Sequence, residues 1–195
     1  MSVADDLTAV PALGLQAGLI LVSGPSGGGK SLWAEHLAAA SDRPVAYLAT
    51  GPLLPHDPDW QQRLDRHRQR RPAHWQTRDV GPDLAPALNA LGHEQLALVD
   101  SLGTWVSARL QEPSVAWQER TSELLAAIDA CRSPVIMVCE EVGWGVVPAT
   151  AEGHCFRERL TALERHLAQR CDRAWLVVQH RALDLHRLGA PVPDP

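Results

Sequence analysis

Phenylalanine and tyrosine are almost missing from this chain, with one of each in 195 residues, and methionine occurs twice. Seven tryptophans carry nearly all the aromatic surface. Most of them read as core or subunit-contact residues, with some left to stack on a flat ligand. A basic excess is lacking too. The 18 Lys and Arg against 23 Asp and Glu leave a formal net charge of −5, which argues against general nucleic-acid binding, because that needs a basic face. No apolar run is long enough to cross a membrane. Residues 1–16 mix acids with apolar residues and lack the basic start of a signal peptide. They read as a loosely ordered extension, and the protein as cytoplasmic. The four cysteines, Cys131, Cys139, Cys155 and Cys171, show no C-x-x-C spacing. That weakens metal and disulfide readings and favours buried or inert thiols. There is no internal repeat, and the length suits one domain over residues 17–195.

What is present is a phosphate-binding loop. The apolar run Leu19-Ile20-Leu21-Val22 leads into Ser23-Gly24-Pro25-Ser26-Gly27-Gly28-Gly29-Lys30-Ser31, which fits G-x-x-x-x-G-K-[ST]. The run suits a buried parallel strand. The glycines let bare backbone turn its N–H groups onto a phosphate. A helix starting near Lys30 would point its positive end at the same anion. Lys30 reaches the β- and γ-phosphates in such loops, and the hydroxyl of Ser31 helps to hold Mg2+. The nucleotide-binding set expected from the sequence is therefore Gly24, Pro25, Ser26, Gly27, Gly28, Gly29, Lys30 and Ser31, joined by two strand-end residues, Thr50 and Asp100.

The rest of the chain alternates solid apolar runs with helical periods. Strands are expected at 45–49, 96–100, 135–139 and 174–178, with a short extended piece at 75–77. Helices are expected at 31–40, 59–70, 83–91 (with Asp83 as its cap), 102–110, 115–131 and 154–170. Pro72 should stop the second of these near Arg70. The tail from Gln179 reads as short and Pro-rich at its end. The class is α/β, a mostly parallel sheet with helices on both faces. Ligands of such sheets sit beyond the carboxyl ends of the strands. The loop 23–30, Thr50, Asp100 and the pair Glu140–Glu141 all fall there.

Asp100 ends an apolar strand, the place of the acid that binds Mg2+ directly or through water in P-loop enzymes. His67 lies on a polar helix among Arg66, Arg68, Arg70 and Arg71. An imidazole among guanidinium groups has its neutral form favoured. A neutral imidazole can attack phosphorus, and the arginines can grip the attacked phosphates. A solvated basic helix face is the plainer account of the same run. Glu141 opens a Gly-rich stretch, 142–148, that reads equally as a substrate loop or a structural turn.

The chain resembles the bifunctional adenosylcobinamide kinase / adenosylcobinamide-phosphate guanylyltransferase family of cobalamin biosynthesis. The matching segments, in order, are 19–31, Tyr47-Leu48-Ala49-Thr50, Asp57-Pro58-Asp59-Trp60, Arg63-Leu64 with His67, Arg71-Pro72-Ala73-His74-Trp75, 98–106, 141–148 and Phe156-Arg157-Glu158. The resemblance implies a P-loop protein with a RecA-like sheet that can assemble as a trimer. It implies ATP or GTP as phosphate donor, GTP as GMP donor, Mg2+, and a corrinoid substrate. It places the guanylylated histidine at His67, and leaves Arg63, Arg71 and Glu141 as candidates for holding substrate or phosphate. Departures from the family pattern are Thr161-Ala162-Leu163-Glu164-Arg165 in place of Gly-x-x-Asn-Gln, Arg66 where a second histidine is common, and Asp100 where some members carry Glu. They keep two alternatives in play: a single-activity P-loop kinase, and a GTP-binding regulatory protein without turnover.

Overall fold

The computed structural model describes residues 18–52 and 56–193, except for the side chains of Arg63, Arg66 and His67. The extension expected over residues 1–16 lies outside the described residues. The chain runs through β1 (Gly18–Gly24), α1 (Lys30–Ala39), β2 (Val45–Ala49), α2 (Pro58–Arg70), β3 (Gln76–Asp79), α3 (Leu84–Asn89), β4 (Leu96–Asp100) and α4 (Leu102–Ser107). It continues through α5 (Ser114–Ala130), β5 (Pro134–Glu140), α6 (Ala151–Ala168), β6 (Arg173–Val178), β7 (Arg181–Asp184) and α7 (Leu185–Leu188). The strands form one sheet in the order β3-β2-β4-β5-β1-β6-β7. All pairs are parallel except β6 with β7.

The solid apolar strands follow from burial on both faces. Side chains alternate across a strand. Leu19, Leu21, Ala97, Val99, Val135 and Met137 therefore face one way, against Leu84 and Leu88 of α3, Trp105 of α4, Leu124 of α5 and Leu160 and Leu163 of α6. Ile20, Val22, Leu96, Leu98, Ile136 and Val138 face the other way, against Ala34, Leu37 and Ala38 of α1 and against Trp75. The expected fold, a P-loop α/β sheet covered on both sides, is the one observed. In register, Ala49 lies opposite Asp100 and Gly24 opposite Glu140. That brings the phosphate loop and the strand-end acids to one edge.

Some boundaries differ from expectation for local reasons. Helix α6 starts at Ala151 rather than 154, because the Thr150 side chain accepts from the Gly153 N–H and caps it. Asp83 precedes α3, but its side chain makes no capping bond. Helix α2 stops at Arg70, and Arg71 is extended at φ −74° and ψ 136°, as suits the residue before Pro72.

The larger difference is the tail. Past Val178 the chain turns back at once as β7, which pairs antiparallel with β6. The two turn residues, Gln179 at φ 49° and His180 at φ 56°, both occupy left-handed conformations. Two-residue hairpins need that geometry and usually obtain it with Asn-Gly or Gly. With Gln-His in those places the usual hairpin signal is missing. Gln179→Asn combined with His180→Gly should relieve the conformational cost and raise the urea midpoint, by about 1 kcal/mol of stability. An unchanged or lower midpoint would show that the turn is not strained.

Candidate active site

The loop between β1 and α1 is shaped by backbone contacts. The Gly28 N–H donates to the Pro25 carbonyl at 3.1 Å, and the Lys30 Nζ reaches the same oxygen at 2.9 Å. A Cβ at Gly24, where φ is +149°, would collide with the Val177 carbonyl oxygen, and one at Gly28 would lie 2.7 Å from it. The His180 N–H donates to the Gly28 carbonyl at 3.1 Å. The hairpin thus lies directly behind the loop. No side chain caps the N-terminus of α1, so its first-turn N–H groups face the loop's concavity as an anion site. Lys30 is only 7% exposed.

A cavity of about 430 Å³ opens on this edge. Ser26, Gly27, Gly29, Lys30, Ser31 and Leu32 form its floor. Tyr47, Ala49, Gly51, Asp79, Asp100 and Ser101 come from the strand ends, with Thr104 and Glu140 behind them. Trp60, Leu64, Arg70 and Arg71 come from α2 and its end, and His180 closes the hairpin side. Ser31 and Asp100 both line this cavity, and their oxygens are a donor set of the kind that suits a hard divalent cation. Gly24, Pro25 and Gly28 support the loop from behind rather than line the cavity.

The Asp100–Ser101 turn, whose peptide is cis, is tightly held. The Tyr47 hydroxyl donates to Asp100 Oδ2 at 2.5 Å. The Ser101 hydroxyl donates to Glu140 Oε1 at 2.5 Å, and the Gly103 N–H to Glu140 Oε2 at 2.8 Å. Thr50, expected as a nucleotide contact, is 1% exposed instead. Its hydroxyl donates to the Ser101 carbonyl at 2.6 Å and lies 2.7 Å from that of Thr104. It braces the turn and does not line the cavity. Glu141, expected as a substrate residue, is not among the cavity residues, and its carboxylate accepts from the Gly143 N–H at 2.5 Å. Glu140, one residue earlier, is the acid that the strand delivers to the cavity.

Helix α2 is capped by the Asp57 side chain, which accepts from the Trp60 N–H at 3.0 Å. The Trp60 indole N–H donates to the Pro52 carbonyl at 2.8 Å. Arg70 pairs with Glu35 of α1 at 3.3 Å, where burial raises the Glu35 carboxyl and Arg70 opposes that rise. The Arg71 guanidinium carbon lies 3.4 Å from the centroid of the Tyr47 ring. Position 67 falls on the helical face that holds Trp60 and Leu64, both cavity residues. The side chains of His67 and Arg63 are outside the described residues. Tyr47, Trp60 and His180 were not expected as site residues; Arg70 entered only as one of the arginines around His67, and Glu140 only as half of a strand-end pair.

Glu164 of α6 lies against the same edge from the helix side. Burial, with the charges of Glu141 and Glu140, pushes its carboxyl up to about 7, against the Ser23 side chain, which acts to hold it down. Cys139 beside it is fully buried, and its thiol is raised well above the usual range by burial first and the Glu164 charge second. Such a thiol is inert at neutral pH.

The family model described as "Cobinamide kinase / cobinamide phosphate guanyltransferase" matches residues 20–185. The "Bifunctional adenosylcobalamin biosynthesis protein CobU" of Escherichia coli (strain K12) is 31% identical over 82% of this chain and 95% of its own length. The protein of the same name from Salmonella typhimurium is 32% identical over the same shares. The "Bifunctional adenosylcobalamin biosynthesis protein CobP" of Pseudomonas aeruginosa is 34% identical over 81% of this chain and 91% of its own. Among solved structures, a Pyrococcus horikoshii protein superposes with a TM-score of 0.54 at 6% identity, covering 88% of this chain and 86% of its own, a likeness of fold.

The raised Glu164 carboxyl has a stability consequence. The unfolded chain ionises it near the ordinary 4.5, whereas the folded protein keeps the proton until about 7. The folded state binds the extra proton between those values, so stability falls as pH rises through that window and the loss is complete above it. Glu164→Gln retains the shape without the charge. It should raise Tm at about pH 8, by about 1 kcal/mol of stability once solvent screening is allowed for, and change little at about pH 5. Calorimetry that gives equal shifts at both pH values would rule this out.

Proposed function

The chain belongs to the cobinamide kinase / cobinamide phosphate guanyltransferase family, and we propose that it runs both reactions of that family through this one cavity. In the first, a nucleoside triphosphate binds with its phosphates on the loop 24–31. The aminopropanol hydroxyl of adenosylcobinamide attacks the γ-phosphorus and loses its proton. The bond to the β-phosphate oxygen breaks, and a nucleoside diphosphate leaves. Lys30 supports the charge that shifts onto the β–γ bridge as it breaks. Ser31 and Asp100 are the residues to hold Mg2+, which when bound would neutralise charge on the β- and γ-phosphates.

In the second reaction, GTP takes the same loop. The neutral imidazole of His67 attacks the α-phosphorus, a P–N bond forms, and pyrophosphate leaves. A phosphate oxygen of adenosylcobinamide phosphate then displaces the histidine and gives adenosylcobinamide-GDP. Arg71 and Arg63 serve as the cations for the phosphates. The observation that carries the reading is that α2, the helix of His67, borders with Trp60, Leu64 and Arg71 the same cavity that Lys30, Ser31 and Asp100 line. The family resemblance supports a trimeric, cytoplasmic enzyme working as one P-loop domain over residues 17–195.

The test uses GTP labelled on its α-phosphate. With Mg2+ the protein should acquire acid-labile, base-stable label, the mark of a phosphoramidate. His67→Ala should abolish label and GMP transfer while phosphorylation of adenosylcobinamide stays within about twofold of normal. Absence of label from the native protein, with phosphorylation intact, would reduce the function to a kinase. Absence of both would leave a nucleotide-binding regulator.

A further inference from the structure

We propose that Tyr47 is a positioning residue: its hydroxyl orients the Asp100 carboxylate and its ring seats Arg71, so that one side chain aligns the metal-side acid with the cation at the end of α2. The proposal rests on the reading of Asp100 as the Mg2+-side acid.

Tyr47 is the single tyrosine of the chain, and it occupies the centre of β2, between β3 and β4. A central strand position is rigid, and the ring is 1% exposed although it borders the cavity. An aliphatic residue would satisfy the core there, as Leu98 opposite it on β4 does. What the phenol adds is polar. Its hydroxyl donates to Asp100 Oδ2 at 2.5 Å, a charge-assisted bond across β2 and β4. A carboxylate held by one oxygen cannot rotate freely, which fixes the direction its other oxygen presents.

The opposite contact is made by the ring. The Arg71 guanidinium carbon lies 3.4 Å from its centroid. The Arg71 Nη1 reaches the Thr77 hydroxyl only at 3.5 Å, and its Nε is buried without an acceptor among the described residues. A buried guanidinium donor left unmatched is costly, and here it belongs to a side chain that borders the cavity. An anionic oxygen of the substrate would meet that need. Stacking holds the guanidinium plane without consuming its N–H donors. Asp100, Tyr47 and Arg71 thus form a row with acid, phenol and cation in contact order. A nucleotide with its cation would bring positive charge to the first and negative charge to the last.

Two variants separate the two contacts. Tyr47→Phe keeps the ring and loses the hydroxyl. The half-saturating Mg2+ for adenosylcobinamide phosphorylation should rise about tenfold, with kcat at saturating Mg2+ within about twofold of normal. Tyr47→Leu loses both contacts. It should show the same Mg2+ shift and also a several-fold higher KM for the triphosphate, which Tyr47→Phe should not. An unchanged Mg2+ dependence in Tyr47→Phe, with melting intact, overturns the proposal. So does an equal KM rise in both variants. Asp100→Asn is the control for the premise. If it leaves Mg2+ dependence unchanged, the reading of Asp100 falls rather than the role of Tyr47.

One measurement needs no Tyr47 variant. With a single tyrosine, protein grown on [13Cζ]-tyrosine gives one reporter resonance. It should move when Mg2+ and a non-hydrolysable triphosphate are added together, and move again in Asp100→Asn. A resonance indifferent to Mg2+ and the triphosphate would sink the proposal even if the Tyr47 variants failed to fold.

Discussion

The phosphate loop is constrained by backbone against backbone: the Val177 carbonyl oxygen occupies the space that a Cβ on Gly24 or Gly28 would need. The bare loop therefore has two causes. Its N–H groups must turn toward a phosphate, and its back must accept the β6–β7 hairpin. The hairpin in turn binds the Gly28 carbonyl through the His180 N–H, from a left-handed conformation that His180 adopts against its own preference. The phosphate loop is held between the β1–β5 register on one side and this hairpin on the other. The strain at Gln179 and His180 is the structural cost of that fit.

The sheet was legible in the sequence because its inner strands are buried on both faces, so each appears as a short unbroken apolar run. The pattern holds for β1, β2, β4, β5 and β6, and it carries the strand-end residues with it. It fails at β3 and β7. Gln76–Asp79 and Arg181–Asp184 lie at the two edges of the sheet, where one side of the strand has no neighbour and polar side chains are tolerated. Edge strands lose the apolar signature, and β7 also lacked the usual turn residues. What could be read was what burial dictates. What could not was set by pairing to a single neighbour at an edge of the sheet.

The same division runs through the site. The loop 24–31 is a local motif, since its chemistry needs consecutive backbone N–H groups, and it could be read directly. Asp100 followed from its strand. Thr50 shared that strand-end position yet braces Ser101 and Thr104, because the direction of a side chain at a strand end depends on which helix begins next to it. Glu141 and Glu140 could not be told apart from composition. The register of β5 against β1 puts Glu140 opposite Gly24, and its carboxylate is held by the Ser101 hydroxyl and the Gly103 N–H. Tyr47 and Trp60 gave no signal of their own. An aromatic residue in a strand or on a helix reads as packing until a partner 53 residues away in sequence accepts its hydrogen bond, as Asp100 does from Tyr47.

Helix α2 is the exception to the burial rule, and its position relates the two reactions. None of its described residues is buried. It has no apolar face in the core to hold it. Its placement rests on the Trp60 indole against Pro52, on the Arg70–Glu35 pair, and on Arg71 over Tyr47, just past its end. Each is a contact of modest strength, about 1 kcal/mol or less for an exposed ion pair and somewhat more for a desolvated cation–π stack. Summed, they fall far short of what core packing supplies to α1 or α6. Two of these contacts are made by the arginines that face the cavity. Phosphates that draw on Arg70 or Arg71 therefore act on the same contacts that place the helix. In the proposed mechanism the substrate hydroxyl attacks the γ-phosphorus and His67 the α-phosphorus. Both reactions would draw on Lys30, Ser31 and Asp100 and differ in what α2 brings to them. A link between the occupant of the loop and the placement of α2 would serve both.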